Sequence, residues 1–196
     1  MDSVEYYDKY AVEYFEQTVD INMQELWDLF TAQLPEGASI LDLGCGSGRD
    51  SAYFISGGYD VTAMDASEEM CDLASIHIGQ DVLNLSFAEM DFNEVFDGIW
   101  ACASLLHVPG DQIEEIFAKV VKSLKVNGVL FMSVYYGDFE GERNGRFYKD
   151  YRTKSLKELI SRFDNMEIIE IEKCDDSGLA ASTFWIYVLA RKIELD

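Results

Sequence analysis

Short apolar runs alternate with amphipathic stretches along this chain, and their spacing predicts an α/β fold with a doubly wound sheet. Residues 39–43 form an apolar run behind the turn signal Pro35-Glu36-Gly37, as a buried parallel strand would. A helix is expected over 49–56, and a second strand over 61–65 ends on Asp65. Ser67 can cap the next helix, which carries Glu68 and Glu69 in its first turn and should reach His77. Further strands are expected at 83–87, 96–102 and 129–134. Asp111 with Glu114 reads as a capping box for a helix ending near Leu124 and stopped by Asn127-Gly128. Ser155 with Glu158 reads as another, for a helix ending near Phe163. Runs at 166–173 and 183–191 are joined by a loop, 174–182, too short for a crossover helix, so they should pair as a hairpin.

Two helical stretches precede the sheet. Residues 5–18 are rich in aromatics, with Tyr7, Ala11 and Tyr14 on one helical face and Tyr6 and Tyr10 on its neighbour. Residues 23–33 place Leu26, Trp27, Leu29 and Phe30 on a core face. The tyrosines read either as packing against the sheet or as the inner face of a lid, which would make 1–34 a helical cover.

Composition narrows the class. With 196 residues, 48% of them hydrophobic, two prolines and no linker-like stretch, residues 1–196 are expected to form one domain. The longest apolar runs, 129–134 and 184–190, are too short to span a bilayer, and the first residues lack a basic start followed by an apolar segment, so a cytoplasmic protein without a membrane partner is expected. Four cysteines without paired metal-ligand spacing suggest reduced thiols and no metal. Acidic residues outnumber basic ones 37 to 15, giving a net charge of −22 that would repel a nucleic-acid substrate. The same field favours a cationic ligand, or serves solubility alone.

The candidate chemistry lies between the first strand and its helix. Gly44, Gly46 and Gly48 form a turn that lets a ligand approach the main chain while helix-start amides point at it. A dinucleotide fingerprint would need glycine at 49, where Arg49 stands, and this counts against a nicotinamide oxidoreductase. Asp65 follows Gly44 by 21 residues at a strand end, where a carboxylate can accept both hydroxyls of a ribose.

Loop and acid together resemble the first two motifs of class I S-adenosylmethionine-dependent methyltransferases. Gly48-Arg49-Asp50-Ser51 and residues 57–62 are similar to the small bacterial tellurite-resistance type. The resemblance covers essentially the whole chain and implies a mostly parallel seven-stranded sheet with one antiparallel strand. It implies S-adenosylmethionine as cofactor, its methionine portion on the glycine loop and its ribose on Asp65. The cofactor contacts it implies are Tyr14, Asp42, Gly44, Cys45, Gly46, Gly48, Asp65, Ala66, Met70, Phe87, Ala88, Ala101 and Leu106.

The chain departs from the family pattern in two places. Where many members carry an aspartate for the adenine amine, it has Ser86, Phe87 and Ala88, with Glu89 later. Phe87 could flank the ring while a carbonyl or Glu89 takes the amine, or could be a core residue; Asp91 reads as a loop cap. Where the family often has Leu-His-His-Val, Leu106 replaces the first histidine and His107 remains. His107, Tyr135 and Tyr136 are the candidates to accept a proton, although an acceptor that arrives ionised needs no base and a histidine before Pro109 reads equally well as structural.

Residues 135–152 read as a long loop that selects the substrate. Its Arg143 and Arg146 could hold a carboxylate or other small anion, with Tyr7 as a further substrate contact, or could merely offset Asp138, Glu140, Glu142 and Asp150. The expected activity is methyl transfer to a small-molecule acceptor by in-line displacement. The alternative is a non-catalytic cofactor-binding or partner-binding protein on the same fold, which the missing histidine and adenine aspartate would suit. Acceptor atom and oligomeric state stay open at this stage.

Overall fold

A computed structural model describes residues 2–175 and 184–195. A seven-stranded sheet runs through it in the order β3-β2-β1-β4-β5-β9-β8. Its strands are β1 (Ser39–Leu43), β2 (Asp60–Asp65), β3 (Leu83–Asn84), β4 (Phe96–Cys102), β5 (Leu124–Tyr135), β8 (Met166–Asp175) and β9 (Phe184–Lys192), while β6 (Glu140–Arg143) and β7 (Arg146–Lys149) form a separate hairpin. The pairs from β3 through β5 are parallel, and β9 runs antiparallel to both β5 and β8. This is the expected mostly parallel sheet with one antiparallel strand, and β8 and β9 pair as the expected hairpin. The loop expected at 174–182 and the start expected at Thr183 lie largely outside the described residues.

Helices cover both faces: α1 (Ser3–Lys9), α2 (Ala11–Thr18), α3 (Gln24–Thr31), α4 (Arg49–Ser56), α5 (Glu68–Ile78), α6 (Ile113–Ser123) and α7 (Thr153–Ile160). The strands alternate sides, so Leu41, Leu43, Ile99 and Met132 pack in one core while Ile40, Trp100 and Phe131 pack in the other with Phe30 and Phe54. Trp100 and Phe131 stack with ring centroids 4.0 Å apart. Each fully buried aromatic of this kind contributes about 1.5–3 kcal/mol. No described helix is long and apolar enough to cross a membrane.

Under β1 and α4 lies a buried polar knot. Asp50 accepts from the indoles of Trp27 at 2.8 Å and Trp100 at 2.9 Å, and from Arg49 Nε and Nη2 at 2.8 Å each. Both indole N–H groups would otherwise be stranded in the apolar core, so this carboxylate allows α3, α4 and β4 to bury tryptophan there.

Several local expectations are corrected. The stretch 5–18 breaks at Tyr10, whose φ of −115° and ψ of 22° separate α1 from α2. The third strand stops at Asn84 instead of reaching Phe87, because Ser86 turns and donates its N–H and Oγ–H to Glu89. Among the described residues no helix links β3 to β4, so the strand–helix alternation lapses there. The Asp111–Glu114 capping box does not form: α6 starts at Ile113, with the Pro109 carbonyl accepting from Gln112 and Ile113, and Glu114 pairs with Arg162. That helix ends at Ser123, and Asn127-Gly128 lies inside β5, where the register jumps from Phe96↔Leu124 to Gly98↔Val129 and Asn127 takes a φ of 69°. Ser155 is not an N-cap but the third residue of α7, accepting from the Arg152 N–H, and Glu158 meets Lys154. The expected loop 135–152 contains the β6–β7 hairpin.

Candidate functional site

The carboxyl ends of β1 and β2 and the turn between β1 and α4 build the site. Gly44, Gly46 and Gly48 all have left-handed φ angles, +77°, +53° and +74°. A Cβ at Gly44 would fall 2.6 Å from Ser104 Cβ, so side chains are excluded there on two counts. The missing Cβ of Gly48 likewise makes room for Ile78 of α5, whereas a Cβ at Gly46 would meet only Tyr14 at 3.5 Å. Asp65 holds the turn in place: Oδ2 accepts the Gly46 N–H at 2.9 Å and Oδ1 the Ser67 N–H at 3.0 Å. Burial pushes its carboxyl above the usual range, and these backbone donors oppose the shift. Ser104 Oγ, beside Gly44, is buried without a hydrogen-bond partner.

Helices α1 and α2 lie across this edge. Ser67 Oγ donates to Asp8 at 2.6 Å, and Thr18 Oγ1 donates to Ser47 Oγ at 3.1 Å. Tyr14 reaches the loop, with Cε1 3.5 Å from where a Gly46 Cβ would stand. Its ring meets Tyr7 at 5.0 Å, and burial raises both phenols. His107 Nδ1 lies 2.7 Å from the Phe147 carbonyl, which can only accept, so that nitrogen carries the proton. Nε2 is therefore the acceptor for the Tyr7 hydroxyl at 2.9 Å. Arg146 Nη1 donates to the same hydroxyl at 3.2 Å, and the Phe147 N–H donates to Ser3 Oγ at 3.0 Å, so the hairpin and α1 close on each other.

Burial depresses His107 to about 4, which makes it neutral at physiological pH. Its folded value lies below the unfolded one, about 6.5, so below that pH the unfolded chain takes up a proton that the native one refuses. Stability contributed at neutral pH is lost as the pH falls from about 6.5 towards 4, by about 2 kcal/mol at pH 4.5. Urea unfolding at pH 7 and pH 4.5 of the wild type and His107→Gln checks this: the acid loss should be smaller in the variant by about that amount.

The structure brings Tyr7, Tyr14, His107 and Arg146 together above the glycine loop, and Tyr135 adjoins them through Tyr148, ring centroids 5.5 Å apart. Tyr136, just past the end of β5, has Arg152 and Lys173 over its ring. Arg143 does not offer a free guanidinium, because it forks onto Asp150 at 2.9 and 2.6 Å. Asp42 sits behind the loop, accepting from Ser51 Oγ at 2.6 Å, and burial together with the neighbouring Asp50 raises its carboxyl. Cys45, Met70, Ala101 and Leu106 are buried, while Ala66 and Phe87 are half-buried, the Phe87 ring reaching Gly44. Ala88 is exposed, its carbonyl taking Lys119, and Glu89 is committed to Ser86. Asp91 is an exposed ion-pair partner of Lys122, not a loop cap. Sequence reading passed over Asp8, Thr18 and Ser104; of these only Ser104, next to the His107 turn, carried a positional signal.

The cradle suits a ligand with a polar amino-acid end and a ribose. Two glycines leave the main chain bare, an orphaned hydroxyl at Ser104 awaits a polar group, and Asp65 retains acceptor capacity beyond its two backbone donors.

Residues 40–128 match a family described as a methyltransferase domain. A putative methyltransferase, YqeM of Bacillus subtilis, is 35% identical over 53% of this chain and 45% of its own length. A probable S-adenosyl-L-methionine-dependent methyltransferase, TehB of Haemophilus influenzae, is 27% identical over 82% of this chain and 59% of its own. The chain thus spans about half the length of the curated relatives it matches. Among solved structures, the 1,6-didemethyltoxoflavin-N1-methyltransferase of Burkholderia thailandensis, with 1,6-didemethyltoxoflavin and S-adenosylhomocysteine bound, superposes with a TM-score of 0.78 at 25% identity, over 97% of this chain and 86% of that one. The N-methyltransferase NodS of Bradyrhizobium japonicum, with S-adenosylhomocysteine, shares the fold at 14% identity and a TM-score of 0.74, over 95% and 98%.

Proposed function

We propose that this chain, which resembles class I S-adenosylmethionine-dependent methyltransferases in its domain match, relatives and fold, uses that cofactor and transfers its methyl group to a small-molecule acceptor by in-line displacement. The observation that carries the reading is the Asp65 carboxylate bridging Gly46 and Ser67 beneath a loop of left-handed glycines. When bound, the cofactor supplies an activated methyl on a sulfonium, so the protein's task is alignment.

Gly44, Cys45, Gly46 and Ser104 would hold its amino-acid end, Asp65 its ribose, and Phe87 its base. Helices α1 and α2 act as the lid over this cradle, with Tyr14 as its innermost side chain. Tyr7, Arg146 and Tyr135 bound the acceptor side. His107 is a positioning residue: its Nε2 lone pair is taken by Tyr7 and its depressed basicity suits orientation rather than proton uptake. An acceptor whose nucleophile is ionised near neutral pH fits such a site, because the depressed basicity of His107 disfavours proton uptake there.

Calorimetric titration with S-adenosylhomocysteine should show a single site of about micromolar affinity, −8 kcal/mol or so. A small-acceptor screen read by S-adenosylhomocysteine formation should then find turnover. Failure of the protein to bind that compound would end the proposal.

A further inference from the structure

We propose that Arg146 recognises a carboxylate on the methyl acceptor, so that the substrate is a small, planar organic acid; this rests on the methyltransferase reading above. Arg146 opens β7 with its guanidinium carbon 4.6 Å from the Tyr6 ring centroid, 5.5 Å from Tyr7 and 5.3 Å from Tyr148. Its Nη1 is used by Tyr7, whereas its Nε is buried with no partner. The edge bearing Nε and Nη2 is the pair of parallel donors that a carboxylate matches.

The protein has acids in excess, 37 against 15 basic residues, and four of the other five arginines take them: Arg49 has Asp50, Arg143 has Asp150, Arg152 has Asp138 and Arg162 has Glu114, while Arg191, on β9 away from the glycine loop, donates to Gln33 instead. Among the described residues no carboxylate pairs with Arg146. A half-buried cation held only by a phenol and aromatic faces has an unmet demand for a counter-charge.

Position selects the acceptor as its source. Arg146 touches Tyr7, Tyr7 touches Tyr14, and Tyr14 reaches Gly46, so the guanidinium is separated from the glycine loop by two tyrosines. A molecule lying alongside this path would present one end to the loop and an acid to Arg146, against tyrosine rings whose faces suit a flat ligand. The plainer role, a latch between α1 and the β6–β7 hairpin, needs the side chain but not a counter-ion, and charge selectivity separates the two.

The test is calorimetry on the protein saturated with S-adenosylhomocysteine, using benzoate, 4-hydroxybenzoate and anthranilate, each against its neutral primary amide. At least one acid should bind about tenfold more tightly than its amide, equivalent to ~1.4 kcal/mol. In Arg146→Gln this ratio should fall to about one with cofactor-product affinity unchanged, and Arg146→Lys should restore part of it. Because a loosened latch weakens acid and amide alike, the ratio reads charge alone.

Equal binding of acids and amides by the wild type, absence of binding by every acid, or a ratio that survives in Arg146→Gln overturns the inference. A fall in S-adenosylhomocysteine affinity in the variant also overturns it, by assigning Arg146 to the cradle or its cover rather than to the acceptor. Failure of the wild type to bind S-adenosylhomocysteine at all defeats the methyltransferase reading itself.

Discussion

Replacing Asp65 by alanine is expected to weaken S-adenosylhomocysteine binding by about a hundredfold or more, ~2.7 kcal/mol, with the chain still folded. The carboxylate has two jobs that fail together. It would accept the ribose hydroxyls, and it already accepts from Gly46 and Ser67, fixing the glycine turn and the start of α5. Hydrogen bonds to a charged acceptor contribute about 1.5–3 kcal/mol each, so losing even one accounts for most of the effect. Asp65→Asn should fall between wild type and alanine, since its amide can accept on one side and would face an N–H with an NH2 on the other. Calorimetry measures the affinities, and circular dichroism confirms that each variant is folded. An alanine variant that binds like the wild type would remove Asp65 from the cofactor site.

Asp50→Ala should cost about 3–5 kcal/mol of stability, a large share of the 5–15 kcal/mol that holds an ordinary domain together. The carboxylate accepts from Arg49, Trp27 and Trp100, and its loss strands a guanidinium and two indole N–H groups in a region of low polarity. Asn at this position keeps one accepting oxygen, and should retain one tryptophan bond but lose the fork with Arg49. Urea unfolding followed by tryptophan fluorescence reads both the midpoint and the altered indole surroundings. A midpoint within error of the wild type would mean that the knot adds nothing to stability. With Trp27 in α3, Arg49 and Asp50 in α4 and Trp100 in β4, the knot ties the covering helix to the sheet below the glycine turn.

What could be read from the sequence was what is local. The strand, turn and acid from Ser39 to Asp65 lie close along the chain, so spacing alone placed Asp65 beside the glycines. Period-two and period-3.6 patterns likewise located the main elements of the sheet and its order of strands and helices. Turn residues were the weak point, because Asn127-Gly128 suits a helix stop and a bulge equally and only pairing with β4 decides. Capping boxes misled for a related reason: Asp111 had a rival in the Pro109 carbonyl, and Ser155 sits inside the helix and accepts from Arg152 one turn back. The site contacts that escaped notice join distant parts of the chain. Asp8 to Ser67, Thr18 to Ser47 and Tyr7 to Arg146 have no signature in spacing, and the two arginines of the hairpin looked alike until Asp150 was seen to occupy one of them.

The closure of Ser3 and Tyr7 against Phe147 and Arg146 has a kinetic corollary. On the proposed function, α1 and the β6–β7 hairpin are two leaves from opposite halves of the chain over the glycine loop, and a solute bound for Gly46 would have to part them first. The hydrogen bonds across the seam, Tyr7 with His107 and Arg146 and Ser3 with Phe147, lie outside the seven-stranded sheet, so on this reading it can open without disturbing the sheet, and the spent nucleoside would leave by the same door. Under saturating conditions the tempo of turnover is then expected to follow the swing of that door, and solvent viscosity, rather than the strength of the nucleophile, should be the variable that slows it.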